Sequence, residues 1–382
     1  MGDSEMAEGS IYEALQLAPH YNLDNICLII DVNRLGQRGE TMIGHDMKKY
    51  GEGIKSFGWY SIVLDGHNPE HLKRAFVDAK RSGKPTAIIC RTFKGKGVSF
   101  IENKNGWRGK ALNKEELAKA LKEIPNVKMP KAKIVVPEKV EVTKNRSGKL
   151  KISPYELGGM VSTRMAYGKA LANLAMSDPK VIAVDGETSN STKSEEVKKV
   201  RPGQFVEAFV AEQNMVGLCL GMSKKGFNVF GSTFAAFFSR AHDQIRMSAL
   251  SSGSFTLCGS HAGVSIGEDG ASQMALEDIP LFRALPNSLV FYPSDGISTE
   301  KIVDLCAKTK GIKYIRTTRG KTPVLYSEKE KFEIGDFKIL KQTKKDKVVL
   351  VGAGITLHEC LKASELLDKK KTKSAVVDLY CI

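Results

Sequence analysis

No apolar run in these 382 residues approaches the roughly 20 that a membrane-crossing helix needs. No secretory leader is expected at this end either: Asp3, Glu5 and Glu8 stand where its basic segment would be. Cysteine pairing motifs are lacking. Cys27, Cys90, Cys219, Cys258, Cys306, Cys360 and Cys381 are scattered singly, most within apolar runs and without CxxC spacing. That pattern argues against a disulfide framework or a zinc site, and for reduced thiols in a cytoplasmic compartment. Aromatic residues are only 7% of the chain and do not interleave with basic ones, so no stacking platform for nucleic acid is evident. Acidic residues are outnumbered, 43 against 58 basic, for a net charge of +15. The excess lies on helical faces and one linker and reads as a solvated basic surface that would draw in anionic small molecules.

What is present is ordinary globular composition, 42% apolar and 26% charged, at a length for two or three domains. Apolar strands alternate with amphipathic helices. The first block predicts helices at 8–20, 45–57, 69–81 and 113–124, with Asn113 as an N-cap. Its strands are predicted at 25–32, 59–64 and 86–91. A basic loop, Phe93 to Gly97, follows the last strand, where open α/β sheets bind ligands. Residues 125–157 carry prolines and lysines without periodicity and read as a linker. A second alternating block covers 158–326. It predicts helices at 162–176, 213–223, 234–250, 272–284 and 298–308, and strands at 181–184, 204–209, 228–230, 254–258, 289–292 and 313–316. A third block, 327–382, holds one β-α-β unit: strand 348–351, helix 356–368, strand 374–379. The expected fold is α/β, a series of doubly wound, mostly parallel-sheet domains with the first and last incomplete. Both ends are expected to continue into a longer enzyme. The 382-residue piece alone is expected to be inactive and poorly soluble.

Three stretches carry chemistry. Gly2-Asp3-Ser4-Glu5 is a tight turn into a helix, and Asn33 follows an apolar strand thirty residues later. A carboxylate and an amide oxygen suit Mg²⁺ or Ca²⁺, and turn amides at a helix start suit a diphosphate. Ala211-Glu212-Gln213-Asn214-Met215 puts a carboxylate at a strand-to-helix junction, where it either complements the helix dipole or, in an apolar setting, shares a proton with a ring nitrogen. Phe234 and Phe237, three apart on one predicted helical face, read by themselves as core packing or as a flat pocket for a heterocycle. Between Cys258 and Gln273, four glycines accompany His261, Glu268, Asp269 and Gln273 in a loop after a buried strand. Such polar density points to function.

The first stretch resembles the thiamine diphosphate signature. The others, in the same order, resemble the transketolase family over nearly the whole chain. The animal-type enzymes are the nearer likeness, since Gln273 stands where other branches often have His. The resemblance implies the thiamine diphosphate-binding fold: a diphosphate-binding domain (1–124), a pyrimidine-binding domain (158–326) and the start of a C-terminal domain (327–382). It implies thiamine diphosphate bound between two subunits of a homodimer, with Mg²⁺ (or Ca²⁺ or another divalent cation) on Asp3, Asn33 and the Leu35 carbonyl. Ser4, Lys94 and Arg108 would join them on the cofactor, and Phe234, Phe237 and Gln273 would hold its pyrimidine. Glu212 would protonate the pyrimidine and so help form the ylid, and His261 would move protons at the substrate. Arg108, Arg164, Ser191, His261, Asp269 and Arg319 would bind phosphorylated sugars, with Asp269 reading a hydroxyl. Glu8 and Glu13 match interface carboxylates.

The implied activity is transfer of a glycolaldehyde unit from a ketose phosphate such as xylulose 5-phosphate to an aldose phosphate in the non-oxidative pentose phosphate pathway. No nucleic acid or membrane partner is implied. Two departures stand out: Ser4 replaces a glycine, which would be costly at a positive φ, and Arg108 replaces a histidine, which removes a proton carrier at neutral pH. Dihydroxyacetone synthase, deoxyxylulose-phosphate synthase and a catalytically silent scaffold are the alternatives. The phosphate-binding set favours a phosphorylated ketose.

Overall fold

In a computed structural model of the chain, residues 1–126 and 150–382 are described. They belong to two compact units, Met1–Glu141 and Val142–Ile382.

The first unit opens with a 3₁₀ turn, Asp3–Ala7, followed by α1 (Gly9–His20), β1 (Cys27–Val32), α2 (Met47–Ser56), β2 (Tyr60–Asp65), α3 (Pro69–Arg81), β3 (Thr86–Arg91) and α4 (Lys114–Glu123). Local chemistry sets the helix starts. Asn68 accepts from the amides of Glu70 and His71 ahead of Pro69, and Asn113 forms a capping box with Glu116. The three strands are parallel in the order β1-β3-β2. Central β3 is buried on both faces, Ala87 and Ile89 on one core cluster, Ile88 and Cys90 on another. This is the alternation of a strand covered on both sides.

The second unit runs β4 (Met160–Ser162), α5 (Thr163–Ser177), β5 (Val181–Asp185), α6 (Ser189–Thr192), α7 (Glu195–Val200), β6 (Phe205–Glu207), α8 (Glu212–Lys224), β7 (Asn228–Phe234), a 3₁₀ helix (Ala235–Ala241) and α9 (His242–Leu250). It continues with β8 (Phe255–Ser260), α10 (Asp278–Arg283), β9 (Leu289–Phe291), α11 (Gly296–Lys308), β10 (Ile312–Arg316), β11 (Lys321–Pro323), β12 (Lys338–Lys341), β13 (Val348–Gly352), α12 (Ile355–Lys369) and β14 (Ser374–Asp378). Six strands form one parallel sheet, ordered β6-β5-β7-β8-β10-β9. Along β5, Val181 and Ala183 face a core built from α5 and α11, while Ile182 and Val184 face one built from α8 and α9. This sheet is doubly wound. A smaller mixed sheet, β12-β14-β13, joins it where Tyr292 N–H donates to Tyr380 O (2.9 Å) and Ile382 N–H to Val290 O (2.9 Å).

Several expectations need correction. The helix expected at 272–284 is instead a 3₁₀ turn, Ala271–Gln273, and then α10. Ala275 O accepts from Gly263 N–H (3.0 Å) and from Arg316 Nη2 (2.9 Å), so tertiary donors take the carbonyl a continuous helix would use. The strand expected at 228–230 extends to Phe234, and Phe234 is therefore a strand residue paired with Ser260, not a helical one. Residues 127–149 of the expected linker lie outside the described residues. Its far end is packed: Tyr155 donates to Glu300 (2.6 Å), as does the Ser153 amide (2.8 Å). No helix among the described residues is long and apolar enough to cross a membrane. All seven cysteines are free thiols.

Candidate functional sites in the two units

In the first unit the site forms where the strands end. Asp3 is 4% exposed. Its Oδ2 accepts from the Arg34 amide (3.0 Å) and from Thr41 Oγ1 (2.8 Å). Asn33 is steered in turn: its Nδ2 donates to Asp31 (3.1 Å), and its Oδ1 accepts from the Leu35 amide (3.1 Å). Asp31 also accepts from Thr92 at the end of β3. Buried Leu35 follows Arg34, whose φ of 60° makes the sharp turn there. One carboxylate, one amide oxygen and one carbonyl make an all-oxygen donor set, which fits a hard divalent cation. Among the described residues no group of three or more His, Cys, Asp or Glu side chains forms a metal cluster. The candidate set has only one such side chain.

Ser4 lies inside the 3₁₀ turn and is not at a positive φ. The backbone here does not need glycine, and the strain feared for Ser4 is absent. Arg108 reaches the same turn, donating to Ser4 Oγ (3.2 Å) and pairing with Glu5 (3.3 Å). Glu5 also accepts from the Gly2 amide (2.7 Å). Lys94 lies in the loop after β3, where its carbonyl accepts from the Asn103 amide (2.8 Å). Glu8 stands at the N-cap position of α1 without a side-chain capping hydrogen bond and is exposed, whereas Glu13 is half-buried on that helix.

In the second unit Glu212 begins α8, and its carboxylate is 3% exposed. It is not in the apolar setting expected. Arg240 Nε lies 3.1 Å from its Oε2. Nearby in sequence, Phe234 stacks on Phe237 (centroids 5.2 Å apart, 18° between planes) and on His261 (4.3 Å, 17°). Three flat rings thus form a shelf, which suits a heterocycle. A Cβ on Gly259 would lie 2.8 Å from Ala235 Cβ and closer still to Tyr314 Oη, so this position takes only glycine.

His261 is buried, with a φ of 57°, and its Nδ1 meets Ser260 Oγ (2.9 Å). Burial first, then the charges of Arg164 and Arg319, push its pKa down to about 4, against the opposing pull of Asp269. Arg319 binds the Ile266 carbonyl (2.8 Å), Asp269 (3.3 Å) and Glu268 (2.9 Å). Arg164 donates to the Ser191 carbonyl (3.0 Å), not its hydroxyl, and its buried Nε has no hydrogen-bond partner. Burial and the nearby Arg319 lower the Arg164 pKa. Two guanidiniums acting on the same imidazole, one with an orphaned donor, have the chemistry to hold an anion. Gln273 ends the short 3₁₀ turn and accepts from Ser272.

Residues 1–151 match the transketolase thiamine diphosphate binding domain, 159–324 the transketolase pyrimidine binding domain and 335–382 the transketolase C-terminal domain. The chain is 47% identical to human transketolase over 389 aligned residues, covering all of this chain and 62% of that protein. The chain belongs to the transketolase family.

Another transketolase relative, transketolase-like protein 2 of Mus musculus, is 48% identical over the whole chain, again 62% of its own length. The chain thus spans 62% of the length of these curated relatives. The fold follows a transketolase structure from Campylobacter jejuni with a TM-score of 0.85 at 24% identity, covering all of this chain and 65% of that one. A split-gene transketolase described as an inactive beta4 tetramer aligns over 58% of this chain and 72% of its own, at 38% identity and a TM-score of 0.53.

Sequence reasoning passed over Arg240, Thr41, Asp31 and Glu5, each of which holds a candidate transketolase site residue in place. Arg240 lies 28 positions from Glu212, and no periodicity links such a pair. Thr41 is 38 positions from Asp3.

Proposed function

We propose that the full-length protein containing this chain is a transketolase. It moves a glycolaldehyde unit from a ketose phosphate such as xylulose 5-phosphate to an aldose phosphate, in the non-oxidative pentose phosphate pathway. The observation that carries this reading is the cluster around His261: a neutral imidazole stacked on Phe234, with Arg164, Arg319 and Asp269 close enough to act on its charge. A neutral imidazole can accept or relay a proton, and the guanidiniums suit a phosphate dianion. A Pichia stipitis transketolase of the same fold was solved with sedoheptulose 7-phosphate.

Thiamine diphosphate, when bound, supplies the carbanion chemistry that makes and breaks the carbon–carbon bond. Asp3, Asn33 and the Leu35 carbonyl would hold its Mg²⁺, or Ca²⁺ in its place, with Ser4, Lys94 and Arg108 on the diphosphate side. Phe234, Phe237 and Gln273 would hold the pyrimidine, and Glu212 would exchange a proton with its ring nitrogen. His261 would hydrogen-bond the sugar, Asp269 would read a hydroxyl, and Arg164, Arg319 and Ser191 would take the phosphate. Arg108 is a permanent cation. It can bind phosphate but leaves proton transfer at the substrate to His261. We further assign a cytoplasmic homodimer, with Glu8 and Glu13 at its interface.

The test is a side-by-side assay of donors and acceptors with the full-length protein. Xylulose 5-phosphate with ribose 5-phosphate should give ketol transfer. Transfer to formaldehyde alone would indicate dihydroxyacetone synthase, and condensation of pyruvate with glyceraldehyde 3-phosphate deoxyxylulose-phosphate synthase. Cofactor binding without turnover of any pair would favour a silent scaffold.

A further inference from the structure

Glu212 combines two features that seldom meet. Its carboxylate is 3% exposed, yet its partner, the Arg240 side chain, is 62% exposed. A buried carboxylate is costly without a partner, so this contact fixes where the carboxylate points. Arg240 reaches it from the 3₁₀ helix Ala235–Ala241, whose Phe238 is fully buried against Phe282 (5.6 Å) and Tyr314 (6.1 Å). Residues three apart eclipse one another on such a helix. Arg240 is therefore in line with Phe237, the second ring of the aromatic shelf. One short, well-anchored element supplies both a ring for stacking and a cation for the acid.

We propose that Arg240 is a positioning residue for Glu212, holding its carboxylate toward the ring nitrogen of the heterocycle bound on the Phe234–Phe237 shelf. This rests on the cofactor reading given above. The contact is made through Oε2. A glutamate without Arg240 must be ordered when the ligand arrives, and that cost falls on cofactor affinity. The hydrogen bond of Arg240 goes to Glu212, so the effect is expected on the cofactor rather than on the sugars.

The experiment is a double-mutant cycle on the full-length protein. The Kd of thiamine diphosphate is read at saturating Mg²⁺ by fluorescence quenching, beside the KM for xylulose 5-phosphate. R240M should weaken cofactor binding about threefold to tenfold while the sugar KM changes less than about twofold. R240K, which keeps a cation at the site, should recover most of the loss. In the E212Q background R240M should change the Kd by less than about twofold, because no carboxylate remains to position. An unchanged Kd in R240M, or equal losses in both backgrounds, would overturn the proposal while leaving the cofactor assignment intact. A wild-type protein that binds no thiamine diphosphate would overturn both.

Discussion

His261 is kept neutral by where it sits. Its pKa is pushed down to about 4 from an ordinary 6.5, mainly by burial and then by Arg164 and Arg319. Between those two values the unfolded chain binds more protons than the folded one. This group's contribution is therefore complete above about pH 6.5 and is lost as pH falls through about 4. Comparing wild type with H261Q in denaturant titrations from pH 7 to 4 isolates it. Wild type should lose on the order of 1–3 kcal/mol more than the variant over that window. Parallel curves would show that His261 is solvated and not confined between the two guanidiniums. Ser4 is likewise set by its surroundings. Its hydroxyl takes a hydrogen bond from Arg108 at 3.2 Å, and its backbone asks for nothing that only glycine gives.

Asp295 shows how a single side chain can tie elements together. It caps α11 through the Ser298 amide (2.7 Å), and its other oxygen accepts from the amides of Leu325 (2.7 Å) and Tyr326 (3.0 Å) beyond β11. Truncation would take this partner from three backbone donors, two of them buried and one half-buried. D295A should therefore cost about 2–4 kcal/mol in chemical denaturation, well above an ordinary lost cap. A loss under about 1 kcal/mol would mean that water replaces the carboxylate. Elements whose signals are local were legible in the sequence: α3 opens at Pro69 as predicted, α4 has Asn113 as its N-cap, and the apolar run 86–91 is β3 to the residue. Elements decided by tertiary partners were not. The predicted strand ends at 230, but β7 continues through Gly231-Ser232-Thr233 because it is an interior strand where Tyr167 Oη meets Ser232 Oγ (2.8 Å). The candidate site follows the same division. Asp3, Asn33, Glu212 and His261 stand in recognisable local motifs, while the Arg240 and Thr41 that hold them come from distant segments.

At the scale of the molecule, the basic excess of +15 and the guanidiniums beside His261 agree in sign, both favouring phosphorylated ligands. The chain spans 62% of human transketolase and carries matches to three of its domains in order. Each structural unit holds one kind of chemistry: oxygen ligands and turn amides in the first, a ring shelf and a buried acid in the second. The proposed role of the first unit is to hold the diphosphate end of the coenzyme through a metal on Asp3. Isothermal titration of thiamine diphosphate into the full-length protein, with and without Mg²⁺ and in wild type and D3A, tests it most directly. Saturable binding in wild type only when Mg²⁺ is present, weakened at least about tenfold in D3A, is the expected result. Equal binding without the metal, or in D3A, would contradict it.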